Sequence, residues 1–312
     1  MPQFITTVTS CGRLRCFSYF VLGFNSKHDK SLYFARFESN YQRVNHIAQY
    51  MTNQPSSIES AWQLLEEHWK IEPRRGGISY TPGYSIIRFI FSPIIRGLAR
   101  IKATGSEHIP GQGATIFAAN HLSHVDPILV IASSRRKVHY LAKDGHFKNF
   151  FLRMFMNLTG QIETHREAGG DEALASASDV LASNSALGIF PEGTRSKRTE
   201  KPFLLPGKTG IARLAASFPH AKVIPVALVG TREMMAPQAD KLPKLWKSVN
   251  VNFGRNITWL EWLADPNGGA MNIEMLEQLQ QKDKHEIKST IAGLYRKFTD
   301  QLMQSISSLG AP

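Results

Sequence analysis

The sequence predicts an α/β protein in which a mostly parallel sheet is flanked by helices. Two observations support this fold class. From about residue 103 to 255, short apolar runs alternate with segments of helical periodicity, which is typical of βα units in a parallel sheet. The chain has 312 residues, 42% hydrophobic and 20% charged, which is enough for one large core with additional segments.

The first part of the chain has few periodic apolar patterns. Residues 1–80 are predicted to form an N-terminal region of unknown role, with one helix at IESAWQLLEEHW, residues 58–69, before a Pro- and Gly-rich linker. We expect no signal peptide and no spanning helix, because the apolar patch at residues 16–24 is too short to cross a bilayer. Cys11 and Cys16 lack metal-ligand neighbours and are expected to be reduced thiols, as in the cytoplasm.

Residues 81–102 are predicted to form an amphipathic helix. At about 100° per residue, its serines and arginines fall on one face and its apolar side chains on another. This pattern is typical of a helix at a membrane interface, with the arginines towards lipid headgroups; a helix that covers the protein's own core is the alternative. The polar face holds Ser85, Arg88, Ser92, Arg96 and Arg100, and the apolar face holds Ile86, Ile87, Ile90, Phe91, Ile94, Leu98 and Ile101.

The α/β domain is expected over residues 103–270, followed by a C-terminal helical segment at 271–312. Strands are predicted at residues 114–120, 137–143, 160–166, 186–192, 222–230 and 248–254. Helices are predicted at residues 127–136, 147–158, 171–183 and 208–218, and a last helix from about Lys284 to Leu309.

The charge of the chain predicts an anionic partner. A formal net charge of +12 and a pI near 9.7 fit nucleic acid, a lipid surface or a phosphorylated substrate. No aromatic stacking motif or recognition helix accompanies the basic residues, so nucleic-acid binding is only the alternative from another functional class.

The stretch AANHLSHVDPILV, residues 118–130, concentrates polar groups after a predicted buried strand. This position is the carboxyl end of the strand, where open α/β sheets bind ligands. Asp126 precedes Pro127 and is predicted as a helix N-cap, a role that would explain it without chemistry. The carboxylate can also fold back onto His121 and orient it as a general base, with His124 as the competing base.

Two further predicted strands lead to arginines. GQIETHR ends at Arg166, and ALGIF runs into PEGTRSKR, which contains Arg195. If these strands are parallel to the strand before His121, both guanidinium groups lie at the same edge of the sheet, where they could bind phosphate through paired donors. Solvated loop arginines are the alternative.

These motifs resemble those of the glycerolipid acyltransferases. NHLSHVD resembles the NHxxxxD motif of that family, and FPEGTRS resembles its acceptor-binding motif. GQIETHR is similar to the family's glycine-to-arginine block and VIPVALVG to its proline-centred block, and all four follow the family's order between Ser85 and Gly254. One departure is His165, where the family commonly has an acidic residue. The resemblance implies a glycerol-3-phosphate acyltransferase-like α/β fold.

The resemblance also implies a reaction. A fatty acyl group would pass from acyl-CoA or acyl carrier protein to the sn-2 hydroxyl of 1-acyl-sn-glycerol 3-phosphate, giving phosphatidate for phospholipid biosynthesis. His121 would be the base and Asp126 its partner, with no metal or cofactor, because a thioester already has a reactive carbonyl and a good leaving group. Glycerol 3-phosphate or another lysophospholipid is the alternative acceptor. Ser123 would act as a nucleophile only in a hydrolase, and no GxSxG motif is present.

The remaining implied residues bind the acceptor. The partners would be lysophosphatidate, an acyl thioester and an anionic membrane surface, with acyl carrier protein as one possible donor carrier and no nucleic acid. The protein would work at the cytoplasmic face of the membrane as a peripheral or monotopic enzyme. Arg166 and Arg195 would hold the phosphate; the loop would be shaped by Glu192, Gly193 and Thr194, and Lys208 would be a weaker basic candidate.

Overall fold

The computed structural model describes residues 57–312, apart from residues 76, 79, 80, 144–160, 165–169, 238 and 241. Its strands are β1 (Ile101–Thr104), β2 (Thr115–Ala119), β3 (Val138–Lys143), β4 (Ile162–Thr164), β5 (Ala186–Ile189), β6 (Lys222–Val229) and β7 (Val249–Phe253). A 3₁₀ turn covers Ser106–His108. The helices are α1 (Ile58–Gln63), α2 (Glu66–Trp69), α3 (Pro82–Leu98), α4 (Asp126–Ser134), α5 (Gly170–Ala182), α6 (Gly210–Ser217), α7 (Thr231–Met234), α8 (Trp259–Ala264), α9 (Ile273–Gln280) and α10 (Lys284–Ser308).

The strands form one seven-stranded sheet in the order β1-β7-β6-β2-β5-β3-β4. Strands β6, β2, β5, β3 and β4 are parallel, whereas β7 is antiparallel to β6 and β1 is parallel to β7. Strand β2 is central and every one of its side chains is buried, as expected for a strand covered by helices on both faces. The predicted fold class, a mostly parallel sheet flanked by helices, is confirmed.

All six predicted strands are present, and β1 is an additional one. The sequence IKAT of β1 directly follows an apolar helix, and three of its four residues are exposed at the sheet edge, so it lacks the apolar run of a buried strand. Helices α7 and α8 are also additional, whereas α9 lies within the predicted C-terminal helical segment. Helix α8 begins with a capping box at Thr258 and Glu261, a signal that the sequence contains. The helix predicted at 147–158 lies outside the described residues.

Residues 58–71, within the predicted N-terminal region, pack into the core of the α/β domain. Trp62 is fully buried, stacks on Trp69 with ring centroids 5.5 Å apart, and lies 5.4 Å from Trp259 of α8. The Trp62 indole donates a hydrogen bond to the Ala216 carbonyl at 3.2 Å. Helices α1 and α2 therefore share one hydrophobic core with α6, α8 and α10.

Helix α3 is amphipathic as predicted, but its polar face contacts the protein. Tyr84 donates to the Val138 carbonyl at 2.7 Å, Ser92 is 7% exposed, and Arg96 Nε donates to the Ala132 carbonyl at 2.6 Å. The expectation that the arginines face headgroups is wrong for Arg96. The apolar stripe faces away from the core, which argues against the core-covering alternative; its exposed members are Ile86, Phe89 (80% exposed), Ile90, Phe91, Ile94 and Leu98.

No helix in the described part of the chain combines the length and apolarity needed to span a bilayer. Helix α3 instead has an exposed apolar side and a side that binds the protein. This arrangement suits contact with the surface of a membrane, which stays a prediction.

Candidate active site

The site begins where β2 ends. Asn120 is fully buried, and its amide forms two hydrogen bonds with the backbone of Leu228 in β6: Nδ2 donates to the carbonyl at 3.0 Å and Oδ1 accepts from the amide at 2.7 Å. This pair attaches the turn after β2 to the neighbouring strand. The next residue, His121, therefore leaves the sheet from a fixed position.

His121 and Asp126 are paired. His121 Nδ1 lies 2.9 Å from Asp126 Oδ2, and the same oxygen accepts from the backbone N–H groups of Leu122 and Ser123 at 2.7 Å each. The Asp126 side chain is fully buried and that of His121 is 17% exposed. With Nδ1 directed at the carboxylate, Nε2 is the ring nitrogen available to a substrate proton.

The N-cap prediction for Asp126 is wrong. Helix α4 begins at Asp126 itself, its N-cap is Val125, and no side chain caps the helix. The carboxylate instead turns back to the N–H groups that precede it in the turn. Those two bonds fix the position of the carboxylate beside the imidazole, so the Asp126 side chain orients His121 and does not cap the helix.

An aromatic stack supports the other side of the imidazole. The His121 and Phe190 rings are stacked with centroids 3.9 Å apart and an interplanar angle of 10°, and Tyr140 stacks behind Phe190 at 5.4 Å. Gly188 makes room for the stack, because a Cβ at this position would lie 2.1 Å from the Tyr140 ring. Asp126 thus contacts the Nδ1 edge of the His121 ring, and Phe190 packs against one face of that ring. Sequence reasoning missed Phe190, although it is the residue directly after β5.

Glu192 is buried and stabilises the turn that carries His121. It is 2% exposed, and its carboxylate accepts from the backbone N–H groups of His121 at 2.7 Å and Leu205 at 2.9 Å. On the other side, the Ser196 N–H donates to the His121 carbonyl at 3.0 Å. The loop PEGTRS therefore holds the backbone of His121 at both its N–H and its carbonyl. The predicted loop-shaping role of Glu192 takes this form in the structure.

The same glutamate makes stability sensitive to pH. Burial raises the pKa of the Glu192 carboxyl from 4.5 to about 7, against the two N–H donors that favour its charged form. The folded state thus favours the protonated acid, and this contribution to stability is fully present below pH 4.5 and is lost as the pH rises through 7. We expect wild type to lose up to about 3 kcal/mol relative to Glu192→Gln across this window, measured by urea unfolding at each pH.

Glu200→Gln is the matched control, because Glu200 is an exposed glutamate of the same loop. Its unfolding free energy should follow that of wild type at every pH. A Glu192→Gln curve that also runs parallel to wild type would show that the buried carboxyl does not titrate in this window.

Gly193 and Lys208 meet at the mouth of the site. Gly193 has φ +70°, a backbone conformation that favours glycine. A Cβ there would lie 2.9 Å from Lys208 Nζ, which shows how close the lysine comes to the turn. The Lys208 N–H donates to the Pro191 carbonyl at 2.8 Å, which attaches Lys208 to the same loop. Thr194, the next predicted residue, is exposed.

Arg195 and His124 contact each other through the guanidinium and the imidazole. His121 has a buried carboxylate that fixes the orientation of its ring, whereas His124 contacts a guanidinium group. The geometry therefore favours His121 as the base. Arg166 lies outside the described residues, but β4, which ends two residues before it, is parallel to β3 and belongs to the same sheet.

The Ser123 hydroxyl is engaged elsewhere. Ser123 is fully buried, and its Oγ donates to the Met235 carbonyl at 2.7 Å. This bond argues against a nucleophilic serine. Within the described ranges, no three His, Cys, Asp or Glu side chains are grouped so that they could hold a metal ion.

Comparison with known proteins supports the resemblance seen in the motifs. The acyltransferase family model matches residues 100–229. The matched segment runs from the end of α3 to the end of β6 and contains His121, Asp126, Glu192 and Arg195.

Several curated relatives are similar to part of the chain. The 1-acyl-sn-glycerol-3-phosphate acyltransferase of Borreliella burgdorferi is 28% identical over 134 residues, 42% of this chain and 52% of that protein. The enzymes of the same name from Bacillus subtilis and Helicobacter pylori are 27% and 33% identical, over 63% and 50% of their lengths. The chain thus spans about half to two thirds of each relative. A solved 1-acyl-sn-glycerophosphate acyltransferase from Thermotoga maritima aligns with a TM-score of 0.44 at 18% identity, over 70% of this chain and 82% of that one.

Two arginines beside the acyltransferase motifs were missed in the sequence. Arg198 Nη1 donates to the carbonyls of Pro202 and Leu204 at 2.8 and 3.2 Å. The Arg232 guanidinium lies 4.5 Å from the centre of the Phe203 ring and donates to the Ser196 carbonyl at 3.5 Å. Both arginines hold the loop after PEGTRS. Arg232 had a usable signal, because the short helix α7 that contains it begins just after the carboxyl end of β6.

Proposed function

We propose that this protein transfers a fatty acyl group from an acyl thioester to the sn-2 hydroxyl of 1-acyl-sn-glycerol 3-phosphate, forming phosphatidate. The main support is the pairing of His121 with buried Asp126, 2.9 Å apart, on a turn that the PEGTRS loop holds in place. Curated relatives named for this activity are 28% and 27% identical over 42% of this chain. The acyl carrier, coenzyme A or acyl carrier protein, is part of the proposal.

The chemistry follows from the orientation of the base. His121 Nε2 accepts the proton of the acceptor hydroxyl while Asp126 holds Nδ1. The acceptor oxygen attacks the thioester carbonyl, so a C–O ester bond forms, the C–S bond breaks, and the departing thiolate takes the proton back from His121. The acyl group passes directly to the acceptor, and the mechanism uses no enzyme nucleophile, metal or cofactor.

The acceptor phosphate fits the basic mouth of the site. Arg195 is partly exposed, and the Lys208 ammonium lies over the turn at Gly193, in the loop that also braces His121. Arg166 is proposed as a further phosphate ligand. Two guanidinium groups and an ammonium would bind a phosphate monoester more tightly than an uncharged headgroup.

Arg195 should control acceptor affinity. We expect Arg195→Lys to raise the KM for lysophosphatidate several-fold, because lysine keeps the charge but loses the planar pair of donors. Arg195→Ala should raise KM about tenfold or more, with a smaller change in kcat, in initial-rate assays at varied acceptor concentration. Lys201→Ala is the control, since Lys201 is an exposed cation of the same loop. Unchanged KM values in Arg195→Ala and Arg166→Ala would contradict the phosphate site.

The function itself is tested by paired substrates. Purified protein would be assayed with radiolabelled acyl-CoA and acyl carrier protein thioester, each with 1-acylglycerol 3-phosphate, glycerol 3-phosphate, 1-acylglycerophosphocholine or no acceptor. Labelled phosphatidate formed only with the first acceptor supports the proposal. Transfer to another acceptor would replace the substrate, and release of free fatty acid without acceptor would indicate a thioesterase. Salt-sensitive retention of nucleic acid on filters, with no lipid product, would favour the alternative class.

We also propose that the enzyme works as a peripheral or monotopic protein at the cytoplasmic face of an anionic membrane. The apolar stripe of α3 is exposed, and the formal net charge is +12. Both properties favour a surface that offers anionic headgroups above an apolar interior.

A further inference from the structure

The segment between α7 and β7 exposes large apolar side chains at a second place. Leu242 is 79% exposed and Trp246 is 66% exposed, and Leu245 is exposed as well. Among the described residues outside α3, Leu242 and Trp246 are the most exposed large hydrophobic side chains. Large side chains exposed together mark an interaction surface more often than single ones do. Residues 242–247 are called the Trp246 loop below.

Hydrogen bonds and an ion pair hold the Trp246 loop in a conformation that leaves its apolar side chains exposed. At the base, the Asp240 carboxylate accepts from the Ala236 N–H at 2.9 Å and pairs with Lys244 Nζ at 2.9 Å. The Lys244 N–H donates to the Met234 carbonyl at 2.8 Å, and the Lys247 N–H donates to the Lys244 carbonyl at 3.0 Å. The backbone is therefore held in a defined turn that leaves Leu242, Leu245 and Trp246 exposed.

The composition of this region indicates a lipid surface. ADKLPKLWKS, residues 239–248, alternates leucine and tryptophan with lysines at positions 241, 244 and 247, against the single carboxylate of Asp240. Tryptophan is enriched at membrane–water interfaces, and lysines beside it attract anionic headgroups. A protein partner that bound this segment would need an apolar surface with acidic groups, whereas an anionic bilayer has both properties everywhere.

The sheet register places the loop next to the end of α3. Ile101, the first residue of β1, pairs with Val249, the first residue of β7. Leu98 and Trp246 each lie three residues before this pair, so each is within about 10 Å of chain from it. Both side chains are exposed. The end of α3 and the Trp246 loop therefore lie at the same corner of the sheet.

That corner lies at the same end of the sheet as the candidate active site. Strand β7 is antiparallel to β6 and pairs Asn250 with Val229, so β7 starts at the carboxyl end of β6. One hydrogen bond connects the His121 turn with the segment that leads to the loop. The Ser123 hydroxyl donates to the Met235 carbonyl, just before the base of the loop. A bilayer that contacts the loop would thus lie beside the mouth of the site.

We propose that the Trp246 loop is a second lipid-contact element, in which Leu242 and Trp246 enter the interface of an anionic bilayer while the neighbouring lysines meet its phosphates. It places the catalytic end of the sheet against the membrane, whereas α3 extends the contact along one side. This inference rests on the proposed function only in that the acceptor is held in the same bilayer.

Fluorescence tests the contact directly. The chain has five tryptophans, and the other four, Trp62, Trp69, Trp259 and Trp262, are buried, so Trp246 is the one that lipid can reach. With vesicles of brominated phosphatidylglycerol and phosphatidylcholine, emission of the full-length protein should shift to the blue and be quenched. Trp246→Phe should bind the same vesicles with little quenching. Quenching that persists in Trp246→Phe, or is absent from wild type bound to vesicles, would overturn the proposal.

Substitution tests the energetics. Leu242→Ser with Trp246→Ser should lower the vesicle partition coefficient about tenfold or more, because two large apolar groups no longer leave water. The melting temperature should stay unchanged, since both side chains are exposed. Leu64→Ser with Met275→Ser is the matched control. Leu64, directly after α1, and Met275, on α9, are exposed apolar residues away from the loop. An unchanged partition coefficient would contradict the proposal. A wild-type dimer in sedimentation that the double variant does not form would also contradict it, because the loop would then bind a second copy of the chain.

These readouts do not depend on turnover. If the protein binds vesicles through Trp246 but forms no phosphatidate, the proposed function fails and the lipid contact stands. If it forms phosphatidate without quenching of Trp246, the lipid contact fails and the function stands.

Discussion

We expect His121→Ala to lower kcat for acyl transfer at least about a hundredfold, because the alanine variant has no group to take the acceptor proton. The acceptor KM should change little, since the proposed phosphate ligands are intact. Asp126→Asn should lower kcat more than it changes KM, because the imidazole loses the carboxylate that orients it at 2.9 Å. Rates would be measured with saturating acceptor and thioester.

His124→Ala is the matched control, because His124 is a second histidine of the same turn. It should retain most of kcat. Melting curves are recorded for every variant, since buried Asp126 also accepts two backbone N–H groups and its loss affects the turn. Substantial activity in His121→Ala, together with a collapse in His124→Ala, would exchange the roles of the two histidines.

Ile90→Ser, Phe91→Ser and Ile94→Ser in one variant should release the protein from anionic vesicles and lower activity on vesicle-bound lysophosphatidate more than tenfold. Each of these side chains is about half exposed, so serine removes apolar contact with lipid and little contact with the protein. Activity on a monomeric short-chain acceptor should stay close to wild type. Vesicle flotation and a melting curve measure the two effects separately.

The outcome is compared with Leu64→Ser and Met275→Ser, which remove exposed apolar groups elsewhere. That control should float and melt like wild type. A triple α3 variant that still floats but melts much earlier would mean that these residues support the fold, and membrane access would then need another route. Higher salt should weaken flotation of wild type, because headgroup attraction is screened.

Several features of the site followed from local sequence. A run of apolar residues such as ATIFAA predicts a buried strand, and polar residues directly after it predict a site at the carboxyl end of that strand. The spacing of His121 and Asp126 allowed their pairing across a short turn, which the structure shows. The position of Arg195 after β5 followed in the same way. These inferences succeed because each depends on a few consecutive residues.

Other features depended on contacts distant in sequence. Glu192 reaches the backbone of His121, 71 positions earlier, and Leu205, so its bracing role has no local signal. The stacking of Phe190 on His121 likewise joins two separate loops. Residue type suggested that Glu192 belongs to the site, but only the fold shows that its carboxylate bonds backbone N–H groups.

By itself, the sequence determined the order of six of the seven strands, the positions of β2, β5 and β6, and the two faces of α3. It could do so because periodicity reports which side chains lie on the same side of an element. Only the tertiary structure decided which face of α3 meets the protein, that β1 and β7 run against the other strands, and that the Asp126 carboxylate turns back towards His121. The physical reason is that hydrogen bonds and packing between elements choose among arrangements with the same local pattern. Arg96 on the Ala132 carbonyl is one such bond: it turns the polar side of α3 inward and leaves the apolar side exposed.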